Sequence, residues 1–99
     1  MNYQVRYTKR AKEDIVRLYS FLVEQDIVAA RKGLEAIQKG IEFLQEFPFT
    51  CRKATPDNPL LREMIISFGA KGYVVLFEIE SKQAVTILAV RHQREEDYH

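Results

Sequence analysis

Cysteine occurs once, at Cys51. A lone thiol closes no internal disulfide, and His92 and His99 stand far from it, so no metal-ligand spacing arises. A charge excess of either sign is also missing. Fifteen Lys and Arg face fourteen Asp and Glu, a net of +1 with a pI near 7.9. Proteins that hold nucleic acid through many phosphates carry a clear basic surplus, so strong direct binding to RNA or DNA is not expected. No apolar run approaches the roughly 18–20 residues that cross a bilayer. The stretch Met1-Asn2-Tyr3-Gln4-Val5-Arg6 lacks the apolar core of a signal peptide. The sequence has no phosphate-binding glycine loop, no Ser/His/Asp pattern, no nucleotide fingerprint and no internal repeat. Together these absences point to a cytoplasmic protein with no membrane contact, no metal and no cofactor.

What is present suffices for one globular domain, residues 1–99, with 46% hydrophobic and 29% charged residues. Tyr3, Val5 and Tyr7 alternate with Gln4 and Arg6, as in a strand. Thr8 is placed to cap a helix running from about Lys9 to Glu24, with Ala11, Ile15, Leu18 and Leu22 on one face. After a very short connection Asp26 caps a second helix, whose inner stripe is Ala30, Leu34, Ile37, Ile41 and Leu44. Beside that stripe runs a row of small residues: Ala29, Gly33, Ala36 and Gly40. Each glycine costs a helix about 1 kcal/mol relative to alanine. Close approach of another element along the row would offset that cost, and glycines on a solvent face are the alternative.

Pro48 holds Phe47 extended and ends the second helix. Pro48 to Leu60 then reads as a long polar loop, either a functional segment or a connector. Cys51 within it has no identifiable neighbouring base and reads as an ordinary packing residue. Three strands follow, Leu61–Phe68, Tyr73–Ile79 and Ala84–Arg91, joined by Gly69-Ala70-Lys71-Gly72 and Glu80-Ser81-Lys82-Gln83. The middle strand is apolar on both faces and belongs at the centre of a sheet. In the last strand Val85, Ile87, Ala89 and Arg91 should point one way, and Thr86, Leu88, Val90 and His92 the other. The expected fold is α+β in the order β-α-α-β-β-β: an antiparallel two-helix hairpin packed on one face of a four-stranded, mostly antiparallel sheet. The position of the first strand is open.

The sharpest enzymatic reading is metal-free RNA cleavage, which needs a base, an acid and cations around the phosphate. His92 or His99 could supply the base or acid, Tyr98 a donor, and Arg62, Arg91 and Arg94 the phosphate clamp. Hairpin geometry could bring Arg62 near Arg91. Against this, a histidine that follows an apolar alternation commonly has a structural role. Glu95, Glu96 and Asp97 offer Arg91 and Arg94 local ion pairs and would repel a phosphate. Binding is the other class. Phe21, Phe43 and Phe47 lie off the inner helical stripes, with Phe49 close behind, and form either a patch for a partner or a wide core.

The element order and three stretches resemble the RelE/ParE superfamily of type II toxin–antitoxin toxins, the ParE branch in particular. The first stretch is Thr8-Lys9-Arg10-Ala11-Lys12-Glu13-Asp14-Ile15. The second is Ala29-Ala30 with Ile37, Leu44 and Phe47-Pro48. The third comprises Gly72-Tyr73-Val74-Val75-Leu76-Phe77 and the run from Ile87 to Glu95. The resemblance implies a growth-arresting toxin, of the kind found in plasmid stabilisation systems, made beside a cognate antitoxin that would cover Phe21, Phe43 and Phe47. It leaves a toxin dimer or a toxin–antitoxin hetero-oligomer open. ParE-like members inhibit DNA gyrase without a nuclease site, whereas RelE-like members cut mRNA on the ribosome with basic and histidine residues on the sheet. Tyr73–Ile79 carries no basic residue or histidine and Leu61–Phe68 only Arg62, which favours gyrase, with Arg91, His92 and Arg94 as target-binding residues and no catalytic ones. The alternative, an endoribonuclease using Arg62, Arg91, His92 and Tyr98, is kept alive by the terminal Tyr98-His99.

Overall fold

The computed structural model describes residues 2–95. Strand β1 (Gln4–Tyr7) leads into helix α1 (Lys9–Gln25) and helix α2 (Ile27–Leu44). A single 3₁₀ turn, Pro48–Thr50, precedes β2 (Arg52–Thr55), β3 (Asn58–Phe68), β4 (Lys71–Ile79) and β5 (Ala84–His92). Both helix starts follow from their caps. The Thr8 hydroxyl accepts from the Ala11 N–H at 3.0 Å, and the Asp26 carboxylate accepts from the Val28 N–H at 2.9 Å. Asp26 also ends α1, since its own N–H donates to the Leu22 carbonyl in extended geometry. One residue thus closes one helix and opens the next, and the hairpin needs no longer loop.

The α+β class and the helical hairpin match expectation, but the sheet has five strands in the order β1-β5-β4-β3-β2. The segment from Pro48 to Leu60, expected as a loop, supplies the extra strand. Pro56-Asp57 turns β2 back on β3, with Thr55 opposite Asn58 and Arg52 opposite Glu63. The strand escapes a pattern search because it is a polar edge strand with no apolar face to alternate. β1 takes the other edge, parallel to β5, and all other neighbours are antiparallel. β4 is central, as its apolar faces require.

The core lies between the helices and one sheet face. Ala11, Leu18, Ile37, Ile41 and Leu44 meet Met64, Ile66, Tyr73, Val75, Phe77, Ile79, Val85, Ile87 and Val90. The small-residue row faces inward. A Cβ on Gly33 would come within 2.9 Å of Leu22 and 3.1 Å of the Tyr73 hydroxyl, and one on Gly40 within 2.6 Å of Ile66. The row therefore brings α2 against both α1 and β3, and the solvent-face alternative is excluded.

The regular alternation expected along the last strand breaks at one residue. Phe77 pairs with Ile87, but Leu76 pairs with Ala89, so Leu88 is an extra residue in β5. This β-bulge reverses the facing of everything after it. Val90 joins Val85 and Ile87 in the core, His92 follows it to the helix side, and Arg91 turns to the open face.

Candidate functional site

Because of the bulge, His92 lies beneath α1 at the end of the sheet. Its ring meets Tyr73 edge-on, with centroids 5.9 Å apart, and Tyr73 in turn stacks on Phe68 at 5.8 Å. These rings floor a cleft of about 760 Å³ walled by Arg17, Phe21, Leu22, Lys71 and Arg94 among others. The backbone N–H of Arg94 donates to His92 Nδ1 at 3.1 Å. Nδ1 is thereby an acceptor, which leaves Nε2 as the ring nitrogen without this backbone partner. Burial raises the Tyr73 phenol above its ordinary value, so the hydroxyl in the cleft stays a donor.

The turn after β5 is tied to α1 by contacts distant in the chain. Arg17 binds the Glu95 carboxylate at 2.6 Å and Asp14 at 3.6 Å. Donating a hydrogen bond to Glu95 raises the Arg17 pKa further, against partial desolvation. Arg91 donates to the Glu95 backbone carbonyl at 2.6 Å and points away from the helices. The acids of this tail were expected to pair with Arg91 and Arg94, but the Glu95 carboxylate is committed to Arg17. Tyr98 and His99, like Glu96 and Asp97, lie outside the described residues.

Arg62 sits elsewhere. It pairs across β3–β4 with Phe77, whereas His92 pairs with Tyr73, four residues or about 13 Å along the same strand. Its guanidinium donates to the carbonyls of Pro59 at 2.6 Å, Cys51 at 2.8 Å and Phe49 at 3.3 Å, and lies over the Phe49 ring at 5.4 Å. Arg62 thus holds the 3₁₀ turn and β2 against β3 and does not approach Arg91. Burial pushes the Cys51 thiol up, more than the nearby Arg62 charge and the Thr50 hydroxyl lower it. Such a thiol is a poor nucleophile.

The phenylalanines divide into two patches. Phe21 is 59% exposed at the cleft rim, and Phe43 and Phe47, 44% and 49% exposed, touch at 5.4 Å between centroids. Leu22, next to Phe21, faces Gly33. Phe43 is ten residues further along α2, about 15 Å away. The open sheet face carries Arg6, Arg52 and Arg91 against Glu63 and Glu78. Arg52 binds Glu63 at 3.1 Å and Arg6 binds Glu80 at 3.6 Å. Among the described residues that face has no histidine.

Two residues that shape the site, Asp14 and Arg17, escaped sequence reasoning. They look like ordinary charges on the outer side of an amphipathic helix, and only the packing of α1 on β5 gives them partners. The Val90 N–H donates to Asp14 Oδ2 at 2.9 Å.

A family model described as the ParE toxin of the type II toxin–antitoxin system, parDE, matches residues 5–97. Two relatives from Caulobacter vibrioides, Toxin RelE3 and Toxin RelE1, are 30% and 33% identical over 86 and 79 residues. Those alignments span 87% and 80% of this chain and 89% and 82% of the relatives. A solved structure described as the chromosomal ParDE system from P. aeruginosa superposes with a TM-score of 0.70. It covers 91% of this chain and 95% of that one at 18% identity, a likeness of fold. No helix among the described residues is long and apolar enough to cross a membrane. The family match runs from β1 through the Glu95 turn, so it includes the whole helical hairpin and sheet derived above: the chain belongs to the ParE family of type II toxin–antitoxin toxins, a membership that implies a cognate antitoxin.

Proposed function

We propose that this toxin arrests growth by binding DNA gyrase, with no bond-breaking chemistry of its own, until its antitoxin covers it. The observation that carries this reading is the scattering of the nuclease candidates. A metal-free ribonuclease needs its base, acid and phosphate clamp around one scissile bond. Here Arg62 is spent on three backbone carbonyls, Arg91 turns to the open face, and His92 enters the cleft on the other side. What remains near the end of β5 is a rim of Arg17, Lys71 and Arg94 over an aromatic floor. That combination suits recognition of a protein surface. Arg94 and His92 would contact the target from the cleft side and Arg91 from the open face.

The antitoxin is the natural cover for the exposed phenylalanines. Two patches about 15 Å apart along α2 suit an extended partner that follows the hairpin, and a compact one would reach only one of them. Purified gyrase should lose supercoiling activity at saturating toxin, while mRNA in a translating extract stays intact. Full supercoiling activity under those conditions would sink the gyrase reading. Cuts in the mRNA that disappear with His92→Ala would establish the nuclease alternative.

A further inference from the structure

The parallel ladder between β1 and β5 stops at Tyr7 and Ile87. Beyond that point one edge of β5 has no strand beside it and faces the opening turns of α1. Helix groups take over the missing ladder. The Thr8 N–H donates to the Ile87 carbonyl at 3.0 Å, and the Thr8 hydroxyl to the Leu88 carbonyl at 3.0 Å. The Val90 N–H then donates to Asp14 Oδ2 at 2.9 Å. A bulge leaves backbone groups without ladder partners, and an unsatisfied buried donor costs more than an ordinary hydrogen bond returns. The register shift at Leu88 is therefore tenable where α1 offers these acceptors and donors.

Asp14 does more than accept one hydrogen bond. Its carboxylate lies between Arg10 at 3.8 Å and Arg17 at 3.6 Å. Arg17 reaches on to Glu95, whose backbone carbonyl accepts from Arg91. One side chain of α1 is thus linked to both ends of the segment Val90–Glu95. Without the bulge the pairing of Val85 with Ile79 would continue in step, bringing Arg91 opposite Tyr73 and Ala89 opposite Val75. His92 would then point to the open face, and Val90 would leave the core.

We propose that Asp14 is the positioning residue of the Arg91–Arg94 surface: by holding the bulge on one side and Arg17 on the other, it decides that Arg91 leaves on the open face and His92 enters the cleft. That this surface meets the target rests on the proposed function; that Asp14 sets its register does not. The test uses the full chain with Asp14→Ala and Asp14→Asn, read by nuclear magnetic resonance and by growth arrest at matched amounts of folded protein. Asp14→Ala should raise amide exchange at Val90 by ~10-fold or more relative to Val75. It should also abolish the Tyr73–His92 ring contact and weaken growth arrest. Asp14→Asn keeps an acceptor for Val90 and should restore its protection while loosening the Arg17–Glu95 pair. A protected Val90 and an intact ring contact in Asp14→Ala would overturn the proposal. Displaced contacts with undiminished growth arrest would instead overturn the target-facing role of the Arg91–Arg94 surface while upholding the register role of Asp14. Should Asp14→Ala fail to fold, Asp14→Asn and Arg17→Gln decide the outer half, since an unmoved Arg91–Glu95 contact in both overturns it.

Discussion

The two ends of the sheet each immobilise an arginine, and they do so by different means. Arg62 is held by its own neighbourhood. Its partners Phe49, Cys51 and Pro59 lie within thirteen residues, and the guanidinium serves as a knot for the 3₁₀ turn and β2. Arg91 is held through a chain of contacts that begins on α1, more than seventy residues away in sequence. The first arrangement consumes a cation to build the fold. The second keeps a cation near the surface, beside an exposed Arg94 and a half-buried His92. The same residue type knots a turn to the sheet at one end and ties down the tail after β5 at the other because of what surrounds it.

Breaking the end that carries His92 should produce the largest effect. Gly72 has φ +124°, and a Cβ there would overlap the Ile66 carbonyl oxygen. It also accepts from the Gln93 N–H at 2.9 Å, so it ties the β3–β4 turn to the tail. Gly72→Ala should cost about 3 kcal/mol or more, measured by denaturant unfolding. It should also disorder the cleft. Breaking the other end should cost less. Arg62→Met keeps bulk but leaves three carbonyls without their donor, a loss of about 2 kcal/mol. Growth arrest per folded molecule should survive this change. An abolished arrest with a folded Arg62→Met chain would mean that the two ends act together, as a nuclease requires.

The smallest effect sharpens the comparison through pH. Burial raises the phenols of Tyr73 and Tyr7 above 10.0 and the Cys51 thiol above 9.0. Each group holds its proton more tightly folded than unfolded. Its contribution is fully present below the unfolded value and is lost as pH rises through the folded one. The melting temperature should therefore fall as pH rises beyond about 9. Tyr73→Phe should flatten part of that fall, with no change near neutrality.

Much of the frame was legible in the chain itself. The caps Thr8 and Asp26, the stripes of both helices, the small-residue row and the central place of Tyr73–Ile79 depend on local spacing and composition, which a sequence displays directly. The facing of Arg91 and His92 depends on one inserted residue, Leu88, in an apolar run where every neighbour reads the same. The partner of Arg62 is a set of carbonyls, and every residue type carries one. β2 has no apolar face to announce it, because an edge strand is specified by the strand beside it. Sequence pattern alone settled both helices with their apolar faces and every strand except β2, since those follow from short-range sterics and burial. Tertiary structure alone decided which edge β1 takes, where β5 bulges and which cations remain near the surface. Those depend on backbone groups finding partners across the fold.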